Sequence, residues 1–197
     1  MTLAGALDGL RVLEVGDLVG AAYATKLLAD LGADVVKIER PGTGDLARQR
    51  GPFPGGDPHP EKSGLFLYLN ANKRGITLDL TAQHGQDAFG RLAARADLLV
   101  HNVHPTEMAA HGLDYERLAA TNPGLVMTSI TPFGLTGPHA AYRGSELVLW
   151  NAGGIATLNG TPGRPDLPPL KAYGDQASYQ GALNGAIGSL GALFARL

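Results

Sequence analysis

Short apolar runs rich in branched residues, each followed by a helical segment, recur along the chain and narrow its fold more than any other feature. "LRVLEVG" (10–16) is such a run, and "GAAYATKLLADLG" follows it with Tyr23, Leu27 and Leu31 at helical spacing and a stop at Gly32. "ADVVKIERP" is a second run, ended by Pro41, so the opening segment predicts a βαβ unit with a right-handed crossover. "RGITLDL" is the next strand, and Thr81 is placed to cap a helix whose Phe89, Leu92, Ala93 and Ala96 share one face. "DLLVHN", the short helix of "DYERLAATNPG" and the strand of "LVMTSITPFG" continue the alternation. This pattern predicts an α/β fold: a Rossmann-like open, mostly parallel sheet with helices on both faces.

Two segments interrupt it. From Pro41 to about Leu65 the chain is dense in Gly and Pro and has no period, which marks a long loop, a candidate lid or binding loop. "LNGTPGRPDLPPLKAYG" precedes a last helix in which Tyr179, Leu183, Ile187, Leu190 and Phe194 form an apolar stripe. Gly181, Gly185 and Gly188 run beside that stripe, each costing a helix about 1 kcal/mol relative to alanine, which implies close approach of another backbone or a ligand.

A length of 197 residues suits one domain, and 44% hydrophobic with 17% charged residues suits a globular one. The net charge of −2, without a block of like charges, argues against nucleic acid or an acidic membrane surface as partner. Any phosphate must then be held by a few placed cations. The absence of cysteine excludes disulfides, Cys-ligated metals and a thiol nucleophile. No apolar run approaches the roughly 18 residues of a membrane span, and the N-terminus lacks the charge pattern of a signal peptide. The expectation is a soluble, cytoplasmic protein.

The turn after the first strand, "EVGDLVGAAY", supplies Gly16 and Gly20 but not the G-x-G-x-x-G order, so Glu39, placed like a ribose-binding acid, does not suffice to predict NAD. His101, His104 and His111 straddle a strand end, a proline and a short helix, and read as solvated or cleft-lining side chains with no metal. Arg40 ends a strand, where open α/β sheets bind ligands, and is the better phosphate ligand. Lys73 and Arg74 precede a strand and are as readily solvated charges. Asp175 follows Gly174 and begins the last helix. It suits an N-cap, and it equally suits a nucleophile kept ionised by the helix end with a glycine alongside for a bulky acyl group.

Four ordered segments, "LLADLGADVVKIERPGTGD", "NANKRGITLDL", "ADLLVHNVHPTEMAAHGLDYERLAATNPGLVMTSITPFGLTGP" and "YGDQASYQGALNGAIGSLGALFARL", resemble those of the family III CoA-transferases. That group includes formyl-CoA transferase, carnitine CoA-transferase and α-methylacyl-CoA racemase. The resemblance implies an acyl-CoA:carboxylate CoA-transferase in which Asp175 attacks the thioester to form an aspartyl-acyl anhydride. It implies coenzyme A as the thioester carrier, without metal or NAD, and a carboxylic acid acceptor. CoA contacts then fall on Val19 and Gly20, on Arg40, on Leu78, Asp79, Leu80 and Thr81, on Asn102, Val103 and His104, and on Arg143, Gly144, Ser145 and Glu146.

The chain departs from the family pattern in several places. It has Gly20-Ala21-Ala22 where A-G-P is frequent, "NVHPT" where N-F-R-P-G is, and Ala110 where some members place a CoA-contacting arginine. These differences imply a differently arranged or weaker grip on CoA. The racemases carry a His-Asp pair where this chain has Ser145-Glu146, and Ser145 is no base at neutral pH, so transfer is expected over racemisation or epimerisation. Family members are longer, with a second domain and a returning segment, and the transferases form interlocked dimers. Residues 1–173 are thus expected to form a Rossmann-like CoA-binding domain and 174–197 a helix continuous with it, the second domain being absent. A homodimer or a complementary chain completes the site in this expectation, and a non-catalytic CoA-binding half is the remaining alternative.

Overall fold

Five strands, β1 (Arg11–Val15), β2 (Asp34–Glu39), β3 (Arg74–Thr77), β4 (Leu98–His101) and β5 (Val126–Ser129), pair in the order β3-β2-β1-β4-β5. Every pairing is parallel. The computed structural model describes residues 5–110, 114–161, 163–164 and 166–196. The strand order places β1, the first strand in sequence, at the centre, as in the doubly wound nucleotide-binding sheets.

Helices cover both faces, as alternation along buried parallel strands requires. α1 (Gly20–Asp30) and, at the far end of the chain, α8 (Gln176–Ala195) lie over Val12, Val35, Leu98 and Val100. The opposite face packs Leu13, Val15, Ile38 and Leu99 against α3 (Gln83–Ala93), α4 (Pro105–Ala110) and α5 (Tyr115–Thr121) through Phe89, Ala93, Met108 and Leu118. Three further helices lie where the sequence signalled none: α2 (Gly64–Leu69), α6 (Glu146–Ala152) and α7 (Ile155–Leu158). Among the described residues no helix is long and apolar enough to cross a membrane.

In both α1 and α8 small residues make most of the fully buried surface and only part of the expected stripe joins them: Tyr23 and Leu27 of α1 and Leu190 of α8 pack, partly buried, against the same core. In α1 the buried residues are Gly20, Ala21, Ala22, Ala24, Thr25, Leu28 and Ala29, while Leu31 lies past the helix end and is 48% exposed. In α8 Ala182, Ala186, Ser189 and Leu193 are buried, whereas Leu183, Ile187 and Phe194 face outward. The cause is shared, since the spacing of packed helices follows the size of the side chains between them, and Ala21, Ala24 and Leu28 meet Ala182 and Ala186. At Gly185 an added Cβ would fall 2.7 Å from Ile130 Cδ1, so this glycine lets α8 settle on the chain leaving β5. Thr128 and Ser189 hydroxyls complete that contact at 2.7 Å.

The Gly/Pro-rich segment after Pro41 is tied down. Glu14 on β1 is fully buried, and its carboxylate meets Lys37 Nζ of β2 at 2.6 Å and Lys73 Nζ at 2.7 Å. The Thr25 hydroxyl of α1 donates to Glu14 Oε2 at 2.6 Å, and Lys37 also reaches Asp45 Oδ2 at 2.7 Å. Asp45 sits in the looped segment and accepts from the amides of Leu18 and Ala47. Arg48 holds Glu39 through two hydrogen bonds, and the Ser63 hydroxyl donates to the carbonyls of Ala47 and Arg50. Short helical turns at Leu46–Gln49 and Pro54–Gly56 give this segment its form. Lys73 is accordingly no solvated charge, although Arg74 beside it is exposed and pairs with Asp34.

Thr81 does not cap α3. Its hydroxyl donates to Asp79 within its own turn, and Ala82 occupies the cap position. The Asx-type bond two residues back competes with capping and prevails here.

Burial alone would raise the Glu14 pKa, but Lys37 and Lys73 outweigh it and hold the carboxyl down at about 2. Glu14→Gln leaves two ammonium groups buried with one carboxylate between them and is expected to cost roughly 3–5 kcal/mol, measured by urea denaturation at pH 7. Because the folded-state pKa is depressed, this contribution is complete above the ordinary value of 4.5 and disappears as pH falls towards about 2. The gap between wild type and variant should therefore narrow across that acid window, and a gap that stays constant would refute the charge origin.

Candidate functional site

The order of strands reverses at β1, with β2 on one side and β4 on the other, and such a switch point is where open α/β sheets bind ligands. Leaving the sheet there, β1 runs into Gly16-Asp17 and β4 into Asn102. The Asn102 side chain fastens the two together: its Oδ1 accepts the Asp17 N–H at 3.1 Å, and its Nδ2 donates to the Asp17 carbonyl at 2.7 Å. An added Cβ on Gly16 would lie 1.7 Å from Asn102 Oδ1, so the clamp needs glycine at this position.

Asp17 and Asn102 form the wall between two clefts. The first, about 530 Å³, brings together Arg40, Leu78, Asp79, Leu80, Thr81, Asn102, Val103 and His104 with Glu39 and Glu107. The second, about 940 Å³, takes in Val19, Gly20 and Gly144 with Ile130, Phe133, Tyr142, Ala177 and Ser178. Eleven of the fourteen residues expected to contact CoA thus line one cleft or the other.

Arg143, Ser145 and Glu146 line neither. Arg143 is largely exposed, 3.8 Å from Glu107 at its nearest approach. Ser145 caps α6 through the Val148 amide at 3.5 Å. Glu146 serves α8: its two carboxylate oxygens accept the Ala177 and Ser178 amides at 3.0 and 2.7 Å. A carboxylate on orphan N–H groups at a helix start is favoured both by hydrogen bonding and by the helix dipole.

Asp175 stands at the N-cap position of α8, yet its side chain accepts no bond from the helix amides. Glu146 has taken that role, and the expected capping by Asp175 is corrected accordingly. The Asp175 carboxylate, 17% exposed, instead faces Arg50, whose Nη1 lies 2.8 Å from Oδ2. Gly174 precedes it at φ +75°, a conformation other residues adopt only with strain.

Charge in the first cleft is mixed. Arg40 pairs with Asp17, whose pKa is raised by burial against the opposing pull of the Leu46 amide and Arg40. Asp79 is held below its ordinary value by the Thr81 hydroxyl and amide. His104 shares a hydrogen bond with the Thr106 hydroxyl, while His101 is 1% exposed and bonded to Ser129. Burial drops the His101 pKa to about 4, so this ring is neutral at pH 7, and of the two expected placements, solvated or cleft-lining, it takes the second, bordering a third cleft with Pro105, Met108 and Met127. His111 lies outside the described residues. Among the described residues no three acidic or histidine side chains gather as a metal site.

Sequence reasoning missed Arg50 and the service of Glu146 to α8. Neither had a local signal, because each partner lies in a distant segment. The Asn102 clamp had one, the otherwise unexplained Gly16.

The family model of CoA-transferase family III matches residues 7–197, and the chain belongs to that family. It is 41% identical over 93% of its length to the succinyl-CoA:(R)-benzylsuccinate CoA-transferase subunit BbsE of Thauera aromatica, covering 44% of that protein. It is 37% identical over 98% of its length to the succinyl-CoA:mesaconate CoA-transferase of Haloarcula hispanica, covering 48% of it. A crystal structure of a CAIB/BAIF family protein from Brucella suis superposes with a TM-score of 0.87 at 36% identity, over 98% of this chain and 50% of that one. The chain therefore spans about half the length of the relatives it matches.

Replacing Glu146 by Ala should leave the Ala177 and Ser178 amides unpaired and cost roughly 1–2 kcal/mol, with faster hydrogen exchange confined to the first turn of α8. Unchanged exchange at those amides would contradict the capping role.

Proposed function

We propose that this chain is the CoA-binding portion of an acyl-CoA:carboxylate CoA-transferase with Asp175 as nucleophile. The observation that carries this is the carboxylate itself. It stands at the head of α8, two residues from the Ala177 and Ser178 wall of the second cleft, and its oxygens accept no bond from the helix amides. An Asp175 oxygen bonds to the thioester carbonyl carbon, the C–S bond breaks, and its electron pair leaves with the CoA thiolate. The resulting aspartyl-acyl anhydride is open to attack by that thiolate or by an acceptor carboxylate, since a carboxylate is a good leaving group.

CoA is proposed to lie along the switch point, with Arg40 exchanging Asp17 for a phosphate and the 78–81 and 102–104 segments offering backbone contacts. Residues 1–173 act as the CoA-binding unit in this reading and the last helix belongs to it. The subunit name of the Thauera aromatica relative favours a second chain, identical or complementary, in the complete enzyme. The names of the two transferase relatives point to succinyl-CoA as donor and dicarboxylic acids as acceptors. Ser145 and Glu146 are engaged by α6 and α8, which favours transfer over a two-base racemisation.

Incubation with succinyl-CoA, together with any chain required for activity, followed by hydroxylamine or borohydride trapping should place the label on Asp175. Asp175→Asn should abolish trapping and lower transfer by at least about 10³-fold. Transfer in a preparation whose Asp175 is never modified would sink the nucleophile assignment, and CoA binding without transfer until a separate chain is added would mark this chain as the binding half.

A further inference from the structure

We propose that Arg50 reads the free carboxylate of a dicarboxylic acyl group while that group is carried on Asp175. The inference deepens the preceding reading and rests on Asp175 as the acyl carrier. Arg50 is the charged side chain nearest that atom, with its Nη1 2.8 Å from Asp175 Oδ2, and among the described residues its guanidinium has no other charged partner. The side chain is 45% exposed, which leaves part of it open to a second ligand.

Its backbone is well anchored. The Arg50 amide donates to the Ala47 carbonyl, and its carbonyl accepts from Ser63, a buried residue that also caps α2. α8 is held on the other side of the pair by Tyr179, packed edge-on against Tyr23 at 4.8 Å. The guanidinium and the carboxylate thus come from two separately fixed segments.

Charge accounting through the reaction gives Arg50 its task. Before acylation the guanidinium faces one carboxylate, Asp175. When an Asp175 oxygen bonds to the acyl carbon and CoA departs as thiolate, the aspartyl group becomes a neutral anhydride and Arg50 loses its counter-ion. A succinyl-type acyl group brings a replacement, since its second carboxylate stays ionised and its short chain keeps that charge near the anhydride. A monocarboxylic acyl group of the same length brings none. The planar fork suits a carboxylate in either state, and a lysine in its place would keep the charge but lose the paired geometry.

The experiment compares succinyl-CoA with butyryl-CoA, equal in chain length and differing in the terminal carboxylate, as acyl donors to wild type, Arg50→Lys and Arg50→Gln, with any chain needed for activity present. Both donors see the same effect of Arg50 on Asp175, so the ratio of their acylation rates isolates recognition. Arg50→Gln should lower trapping from succinyl-CoA about 10- to 100-fold relative to butyryl-CoA, with Arg50→Lys between. Equal losses with both donors, or no loss, would overturn the proposal.

A second arm does not depend on acylation. Asp175→Asn frees Arg50 from its resident partner, so calorimetric titration should show tighter succinate binding than wild type, with butyramide, a four-carbon amide that carries no carboxylate, unaffected. The gain should vanish in the Asp175→Asn, Arg50→Gln double variant. If wild type acylates with neither donor but this pattern holds, the nucleophile reading fails and carboxylate recognition by Arg50 stands. If the pattern is absent, Arg50 serves Asp175 alone.

Discussion

A single carboxylate inside the sheet organises this molecule. Glu14 sits on the central strand with no exposure to water, and its two oxygens gather Lys37 from the neighbouring strand, Lys73 from the approach to β3 and Thr25 from α1. A buried ion in isolation would be costly, so each member depends on the others being in place. Through Lys37 the network extends to Asp45, and Asp45 receives the Leu18 amide beside the switch point. The electrostatic centre of the sheet is therefore three hydrogen bonds from the wall between the two clefts.

The helices repeat this theme in apolar form. α8 returns from the end of the chain to lie on α1, and it does so on alanine, glycine and serine. Small residues bring the helix close enough that its first turn, which follows Asp175, lines the second cleft through Ala177 and Ser178. Bulkier packing would hold α8 off and move that carboxylate with it. Two large apolar residues of α8, Ile187 and Phe194, are left on the far side at 61% and 78% exposure.

How much of this was legible in the sequence follows the range of the interactions. The five strands were readable because branched apolar runs between turn residues depend on local pattern, and the parallel sheet followed from their alternation with helices. The inner faces of α1 and α8 were readable only in part, at Tyr23, Leu27 and Leu190, because hydrophobic periodicity ranks side chains by size, while here each helix supplied the other with a surface that demanded small ones. The segment after Pro41 has no period and reads as loose, but its order comes from Asp45, Arg48 and Ser63, polar residues whose partners lie elsewhere. Asp175 was readable as a helix start after glycine. That Glu146 would cap the helix in its place, and Arg50 face it, could be seen only once the chain had folded.

The Asn102 clamp bears on how such a crevice can change over time. With Gly16 barred from acquiring a side chain and Asn102 committed to both polar groups of the Asp17 backbone, the wall between the clefts has almost no room for variation. Adaptation to new ligands is left to the loops, such as those that bring Thr81 to one cleft and Tyr142 to the other, which take no part in the clamp. A lineage can therefore explore substrates by rewriting its loops while the strand ends beneath them stay as they are.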